Sequence, residues 1–251
     1  SNFCTFIHTK SRTDFALHSI WMVFESQPRK DFLVNPPYAR VKAKVSDLLK
    51  LLKMDVTYER AEGDYLYFHQ DGREKKILDL VGGFGSLLLG HNHPEIISTA
   101  QSILSNQTPL HVQGSQRTRA GLLAEELNRR VKGDFRVVLT NSGTEAVEAA
   151  MKHAMLETKG RTFICLKGAF HGKTLGAVQL TDLDKYRRPF VVDGIKVLRV
   201  EPGNIQELEE KFHQADNLAG FIYEPIQGEG GVRPVDAIFL KRAAELCREK
   251  A

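Results

Sequence analysis

The chain has 251 residues, 42% hydrophobic and 26% charged, which is the composition of a globular protein rather than a disordered one. Its 35 basic and 31 acidic residues leave a net charge of +4, too mild and too scattered to suggest a nucleic-acid partner. No apolar run reaches the ~18 residues that a membrane span needs, so no bilayer partner is expected either.

Cys4, Cys165 and Cys247 lie far apart with no CxxC spacing, a set that suits a reducing, cytoplasmic location and neither a disulfide framework nor a zinc site. His91 and His93 form an isolated H-x-H without further ligands nearby and read as loop and helix-cap residues. Phe15 to Phe24 is the nearest approach to a signal segment, but His18 and Ser19 interrupt it and no small-residue cleavage site follows.

Residues 1–35 show no clean period and end at Asn35-Pro36-Pro37, so they read as an extension or linker. From Tyr38, Val41, Val45, Leu48, Leu49 and Leu52 recur at helical spacing. Strand-like runs at 64–69 and 76–81 flank Asp71-Gly72, a strong hairpin signal. A flexible Gly82-Gly83-Phe84-Gly85 follows. His93-Pro94 then opens a helix whose expected buried stripe is Ile96, Ile97, Ala100, Ile103 and Leu104. Residues 36–100 thus form a small α+β segment.

From about residue 101 a partial large domain is expected, with helices alternating with short apolar strands. The spacing predicts helix 117–130, strand 135–139, and a helix from Thr144 that stops at Gly160. Strands near 162–166, 195–200 and 219–223 come next, with a capped helix from Asn204 and Glu207 between the last two, and a final helix from Ala237. Such alternation implies an α/β fold with a mainly parallel sheet and ligands at the carboxyl ends of its strands.

Three stretches carry candidate chemistry, each placed straight after a predicted strand. In Asn141-Ser142-Gly143-Thr144-Glu145 the strand runs through a small-residue loop into a helix, whose free N–H groups and dipole make an anion site. Gly168-Ala169-Phe170-His171-Gly172-Lys173-Thr174-Leu175-Gly176 can lay an aromatic ring against a planar cofactor. Glu224-Pro225-Ile226-Gln227-Gly228-Glu229-Gly230-Gly231 sets two carboxylates around a tight turn. Each has a plainer reading on its own: a helix cap, a loop with a core-filling phenylalanine, and a surface turn with two exposed acids.

In this order, N-S-G-T-E-A-x-E, F-H-G-K-T-x-G and E-P-I-Q-G-E-G-G resemble the class III (ornithine/acetylornithine/4-aminobutyrate-type) aminotransferases. The likeness covers roughly residues 36–251, and Gly82-Gly83-Phe84-Gly85 and Pro109-Leu110-His111 look most like the putrescine (diamine) branch. It implies the large-domain core of the aspartate-aminotransferase-like fold and pyridoxal 5'-phosphate (PLP) as cofactor. The implied substrates are an amine or ω-amino acid and a 2-oxo acid, bound by a homodimer. By the same resemblance, Ser142, Gly143 and Thr144 hold the PLP phosphate, Phe170 stacks on the pyridine ring with His171 beside it, and Glu224 supports the pyridine-binding aspartate. Glu229 is the gate carboxylate, and Phe84 shapes the amine pocket. The family's D-E-V-Q strand and Schiff-base lysine have no counterpart up to Ala251, and Lys152, Lys167 and Lys173 do not match that lysine. The chain alone is therefore expected to be inactive. A family relative with other PLP chemistry (aminomutase, decarboxylase or racemase), and a non-catalytic truncated subunit, are the alternatives.

Overall fold

The computed structural model describes residues 38–110, 112 and 114–250, so the predicted extension at 1–35 lies outside the described residues. The described residues fall into two units, one up to Val112 and one from residue 114 onward.

The first unit holds α1 (Ala39–Leu51), an antiparallel sheet β1-β2-β3 (Arg60–Glu62, Tyr65–Gln70, Arg73–Leu78), a single helical turn α2 (Gly82–Gly85) and α3 (Pro94–Ser105). The β2–β3 hairpin closes with Gln70 opposite Arg73, leaving a two-residue turn in which Asp71 (φ 54°) and Gly72 (φ 71°) are both left-handed. That matches the right-handed twist of the flanking strands. Pro94 sits in the first turn of α3, where its missing N–H costs nothing. The expected stripe is corrected here: no residue of α3 is buried, and Ile96, Ile97 and Leu104 are exposed. Periodicity marks a face fit to be covered, and nothing in the period says by what.

The second unit is built on the parallel sheet β5-β4-β6 (Lys196–Val200, Thr162–Leu166, Leu218–Ile222). All five residues of the central β4 are buried, as expected for a strand covered on both faces. Alternation splits them. Ile164 and Leu166 pack with Leu208 and Phe212 of α8 (Ile205–Gln214) and with Phe239, Ala243 and Leu246 of α9 (Ala237–Lys250). Phe163 packs on the opposite face with Met151 of α5 (Gly143–Thr158) and Leu180 of the short α6 (Ala177–Leu180). The result is a three-layer α/β core in which each fully buried phenylalanine stabilises by about 1.5–3 kcal/mol. Among the described helices, none is long and apolar enough to cross a membrane.

Two expectations are corrected in this unit. Residues 135–139 form no strand: Phe135, Val138 and Leu139 are exposed. Asn128 of α4 (Thr118–Val131) satisfies Phe135 locally, accepting from its N–H at 2.6 Å and donating to its carbonyl at 2.8 Å. Helix α5 ends one residue earlier than read, on Lys159 in the left-handed region (φ 59°). Gly160 serves close approach instead, since a Cβ there would lie 2.5 Å from the carbonyl oxygen of Asn217.

Candidate active site

Helix α5 begins where Ser142, in extended conformation, accepts a hydrogen bond on its hydroxyl from the Glu145 N–H (3.4 Å). The Glu145 carboxylate accepts in turn from the Asn141 N–H at 2.7 Å, so the cap closes one amide of the first helical turn and one of the loop. The helical ladder starts at the Ala146 N–H bonding to the Ser142 carbonyl. The N–H groups of Gly143 and Thr144 precede it and have no described partner, as the first turn of a helix requires.

The turn after β4 lies against this helix start. Gly172 (φ +124°) packs so closely on Thr144 that a Cβ would come 2.2 Å from the threonine hydroxyl, and one at Gly176 would come 2.4 Å from the Glu148 carboxylate. The Thr144 and Thr174 hydroxyls meet at 2.8 Å. One oxygen of Glu148 accepts from the Thr174 hydroxyl (2.7 Å) and from the N–H groups of Gly176 (2.7 Å) and Ala177 (3.0 Å). Burial works to raise the pKa of Glu148, but these donors outweigh it and hold the carboxyl below its usual range.

The turn after β6 joins from the neighbouring strand. Glu224 accepts from the Phe170 N–H at 2.8 Å and from the Gly228 N–H at 3.2 Å, while Gln227 donates to the Lys167 carbonyl. A two-residue ribbon, β7 (Ile226–Gln227) with β8 (Arg233–Pro234), frames this turn. Glu229 is exposed at its tip, without a described hydrogen bond or ion pair. Phe170 is half-buried, its ring edge-to-face with Tyr186 at 6.1 Å. His171 is buried and its Nε2 has no partner. Burial pushes this imidazole below its usual pKa; Glu224 opposes the shift and Arg199 adds to it.

The second unit thus brings Ser142, Gly143, Thr144, Phe170, His171 and Glu224 to one edge of the sheet. Phe84 belongs to the first unit and is 97% exposed. The three lysines set aside in the sequence have distinct surroundings. Lys167 pairs with Glu207 (3.1 Å) and Glu201 (3.6 Å), and the hydrogen bond to Glu207 above all raises its pKa. Lys173 lies 4.0 Å over the Tyr186 ring, and Lys152 is exposed. Thr181, Asp182 and Arg199 escaped the sequence reading, and Glu148 figures in it only as the last residue of the first motif, without a role. Glu148 stands in the first motif, one helical turn after Thr144, and that spacing was its only signal. Cys165 is buried with its thiol pushed up to about 12, an inert core residue.

A parallel α/β sheet that gathers a helix start, an aromatic–histidine turn and a carboxylate at its carboxyl edge has the architecture of a phosphate-cofactor enzyme. The comparison of sequences names the family: residues 50–251 match Aminotransferase class-III, and the chain belongs to it. Its fold is that of the PLP-dependent class III transaminases. The ornithine aminotransferase of Toxoplasma gondii superposes with a TM-score of 0.67 at 27% identity, over 83% of this chain and 51% of that one. An ω-transaminase of Pseudomonas jessenii, solved with PMP, gives 0.69 at 25% identity over 82% and 51%. Among curated relatives, the LysW-aminoadipate semialdehyde transaminase of Deinococcus radiodurans is 38% identical over 79% of this chain and 46% of its own length. The putrescine aminotransferase of Pectobacterium atrosepticum is 38% identical over 76% and 42%. Aminotransferase PigE of a Serratia species is 35% identical over 90% and 26%. The chain therefore spans about half the length of these relatives, or less.

Proposed function

We propose that the protein to which this chain belongs is a PLP-dependent transaminase that moves an amino group from an amine or ω-amino acid to a 2-oxo acid. The observation that carries this reading is the convergence of the α5 start, Phe170–His171 and Glu224 at one sheet edge. Two features support the fit to PLP: the unpaired amides of Gly143 and Thr144 suit a phosphate, and the buried, unpartnered Nε2 of His171 suits a polar neighbour. When bound, the cofactor supplies the electron sink for departure of the substrate's α-proton.

In this reading the amides of Gly143 and Thr144, with Ser142 beside them, bind the phosphate with help from the helix dipole. Phe170 lies on the pyridine ring and is braced by its edge-to-face contact with Tyr186. His171 stays neutral next to it. Glu224, by holding the Phe170 and Gly228 amides, keeps the two turns at a fixed separation. Glu229 acts as the gate for a dicarboxylate co-substrate, and Phe84 shapes the amine pocket. Homodimer assembly and a cytoplasmic location belong to the same proposal. So does the division into an extension (1–35), a small-domain segment (36–100) and part of a large domain (101–251). The ion-paired Lys167 has the opposite of the lowered pKa that an amine nucleophile needs, and the chain by itself is proposed not to turn over.

The test uses position 143. Proline at the first helical residue keeps a helix but removes one N–H, and a Cβ at Gly143 meets nothing within 4 Å. Gly143→Pro is expected to weaken pyridoxine 5'-phosphate binding by about tenfold in calorimetric titration. Unchanged affinity would falsify the phosphate site. With PLP, an amine donor and 2-oxoglutarate, this chain is expected to form no glutamate above the free-PLP rate.

A further inference from the structure

The backbone of the turn 168–172 is bound at every residue, largely by two neighbours that have been given no role above. Asp182 accepts from the Gly168 N–H on its carboxylate and donates its own N–H to the Ala169 carbonyl, both at 2.8 Å. Arg199 pairs with that carboxylate at 2.7 Å and donates to the carbonyls of Gln179 and Thr181. Glu224 takes the Phe170 N–H. The pair His171-Gly172 is held by Thr181, whose hydroxyl accepts from the His171 N–H at 3.0 Å and donates to the Gly172 carbonyl at 2.9 Å. Thr181 is fully buried, and its hydroxyl spends its proton and one of its two lone pairs on this pair of residues, bridging the peptide groups on either side of it. On its far side Gly172 meets the start of α5, through its contact with Thr144.

We propose that Thr181 is a positioning residue: it fixes the spacing between the Phe170–His171 platform and the N-terminus of α5, so that a planar ligand with a phosphate arm engages both at once. This rests on the cofactor reading above. A bare phosphate needs only the helix start and is indifferent to the spacing. A ligand with ring and phosphate needs both elements in register, and a turn released from Thr181 offers them one at a time.

Two probes separate these cases in calorimetric titration of the full chain. Pyridoxine 5'-phosphate carries ring and phosphate but no aldehyde to react with surface lysines; inorganic phosphate carries no ring. Thr181→Val keeps the shape and loses the hydroxyl, and Thr181→Ser keeps the hydroxyl. Thr181→Val is expected to weaken pyridoxine 5'-phosphate about tenfold or more and inorganic phosphate less than about twofold, with Thr181→Ser close to native. Equal losses for both probes, or full affinity in Thr181→Val, overturn the positioning role alone. A native chain that shows no preference for pyridoxine 5'-phosphate over phosphate overturns the cofactor reading and this proposal with it. Hydrogen exchange on the native chain decides the matter if Thr181→Val does not fold. The His171 amide is expected to be protected and to slow further with pyridoxine 5'-phosphate but not with phosphate; fast exchange, or no difference between the probes, overturns the role.

Discussion

The turn from Gly82 to Gly90 and the turn from Gly168 to Gly176 both set glycines around one phenylalanine, yet Phe84 is 97% exposed whereas Phe170 is half-buried on a backbone held from outside at each residue from 168 to 172. Among the described residues the first turn is tied to its unit at its two ends and bonds to itself between them, as from the Leu87 N–H to the Gly82 carbonyl. Asp79 accepts from the Val81 and Gly82 N–H groups and meets His91 at 2.8 Å, while Gly90 abuts Gly63. Between those anchors its glycines supply left-handed backbone, and a Cβ at Gly85 (φ +82°) would touch nothing. In the second turn, glycine is needed for proximity: Gly172 and Gly176 leave room for Thr144 and Glu148. The same residue type serves backbone freedom in one place and close approach in the other, and only the partner across the gap tells which.

Alanine substitution turns that difference into a measurement. Gly172→Ala meets both a clash, costing about 1–3 kcal/mol, and a strained φ costing a similar amount. A total loss of about 3 kcal/mol or more is expected in urea unfolding. Gly85→Ala meets the strain alone, about 1–2 kcal/mol. Equal losses at the two positions would erase the distinction. A smaller effect is expected at the carboxylate that ties the second turn to α5. The pKa of Glu148 is depressed in the folded state, so its contribution is present above the unfolded value and lost as pH falls through the folded one. Glu148→Gln is expected to cost about 1–2 kcal/mol at pH 7. Below about pH 4 it should fall less steeply in stability than the native chain. Parallel stability curves at pH 7 and pH 3 would show that the clamp contributes nothing, and amide exchange at Gly82 in the first turn should not change.

Legibility followed sequence distance. The Asp71-Gly72 hairpin and the Ser142 and Asn204 caps could be read because each is closed within about three residues. Two of the three motifs also placed Phe170, His171 and Glu224 correctly behind strands, since a strand followed by a glycine turn is a local pattern, whereas the strand expected before the first motif does not form. What holds those residues was not readable. Glu148 reaches residues 174–177, Glu224 reaches Phe170 54 positions away, and Thr181 reaches back to His171 and Gly172. The apolar run at 135–139 misled for the same reason. A strand needs a neighbour to pair with, and the side chain of Asn128 took that place at Phe135.

The smallest effect is expected at Phe84, and its sign is informative. Phe84 sits at φ 57°, a left-handed conformation that costs a bulky L-residue about 1–2 kcal/mol. Glycine removes that strain and gives back about 0.5–1 kcal/mol through the extra freedom of the unfolded chain. Almost no apolar burial is lost, because the ring is exposed in the single chain. Phe84→Gly should therefore stabilise the dilute chain slightly, by up to about 1 kcal/mol in urea unfolding. At high concentration the proposed homodimer makes an opposite demand. If a second copy covers this turn, the native chain gains stability with concentration and the glycine variant does not, so the two curves cross. A variant that stays more stable at every concentration places the dimer contact elsewhere on the molecule. A variant less stable even when dilute means that the Phe84 ring is covered within the single chain, and the contrast between the two turns fails.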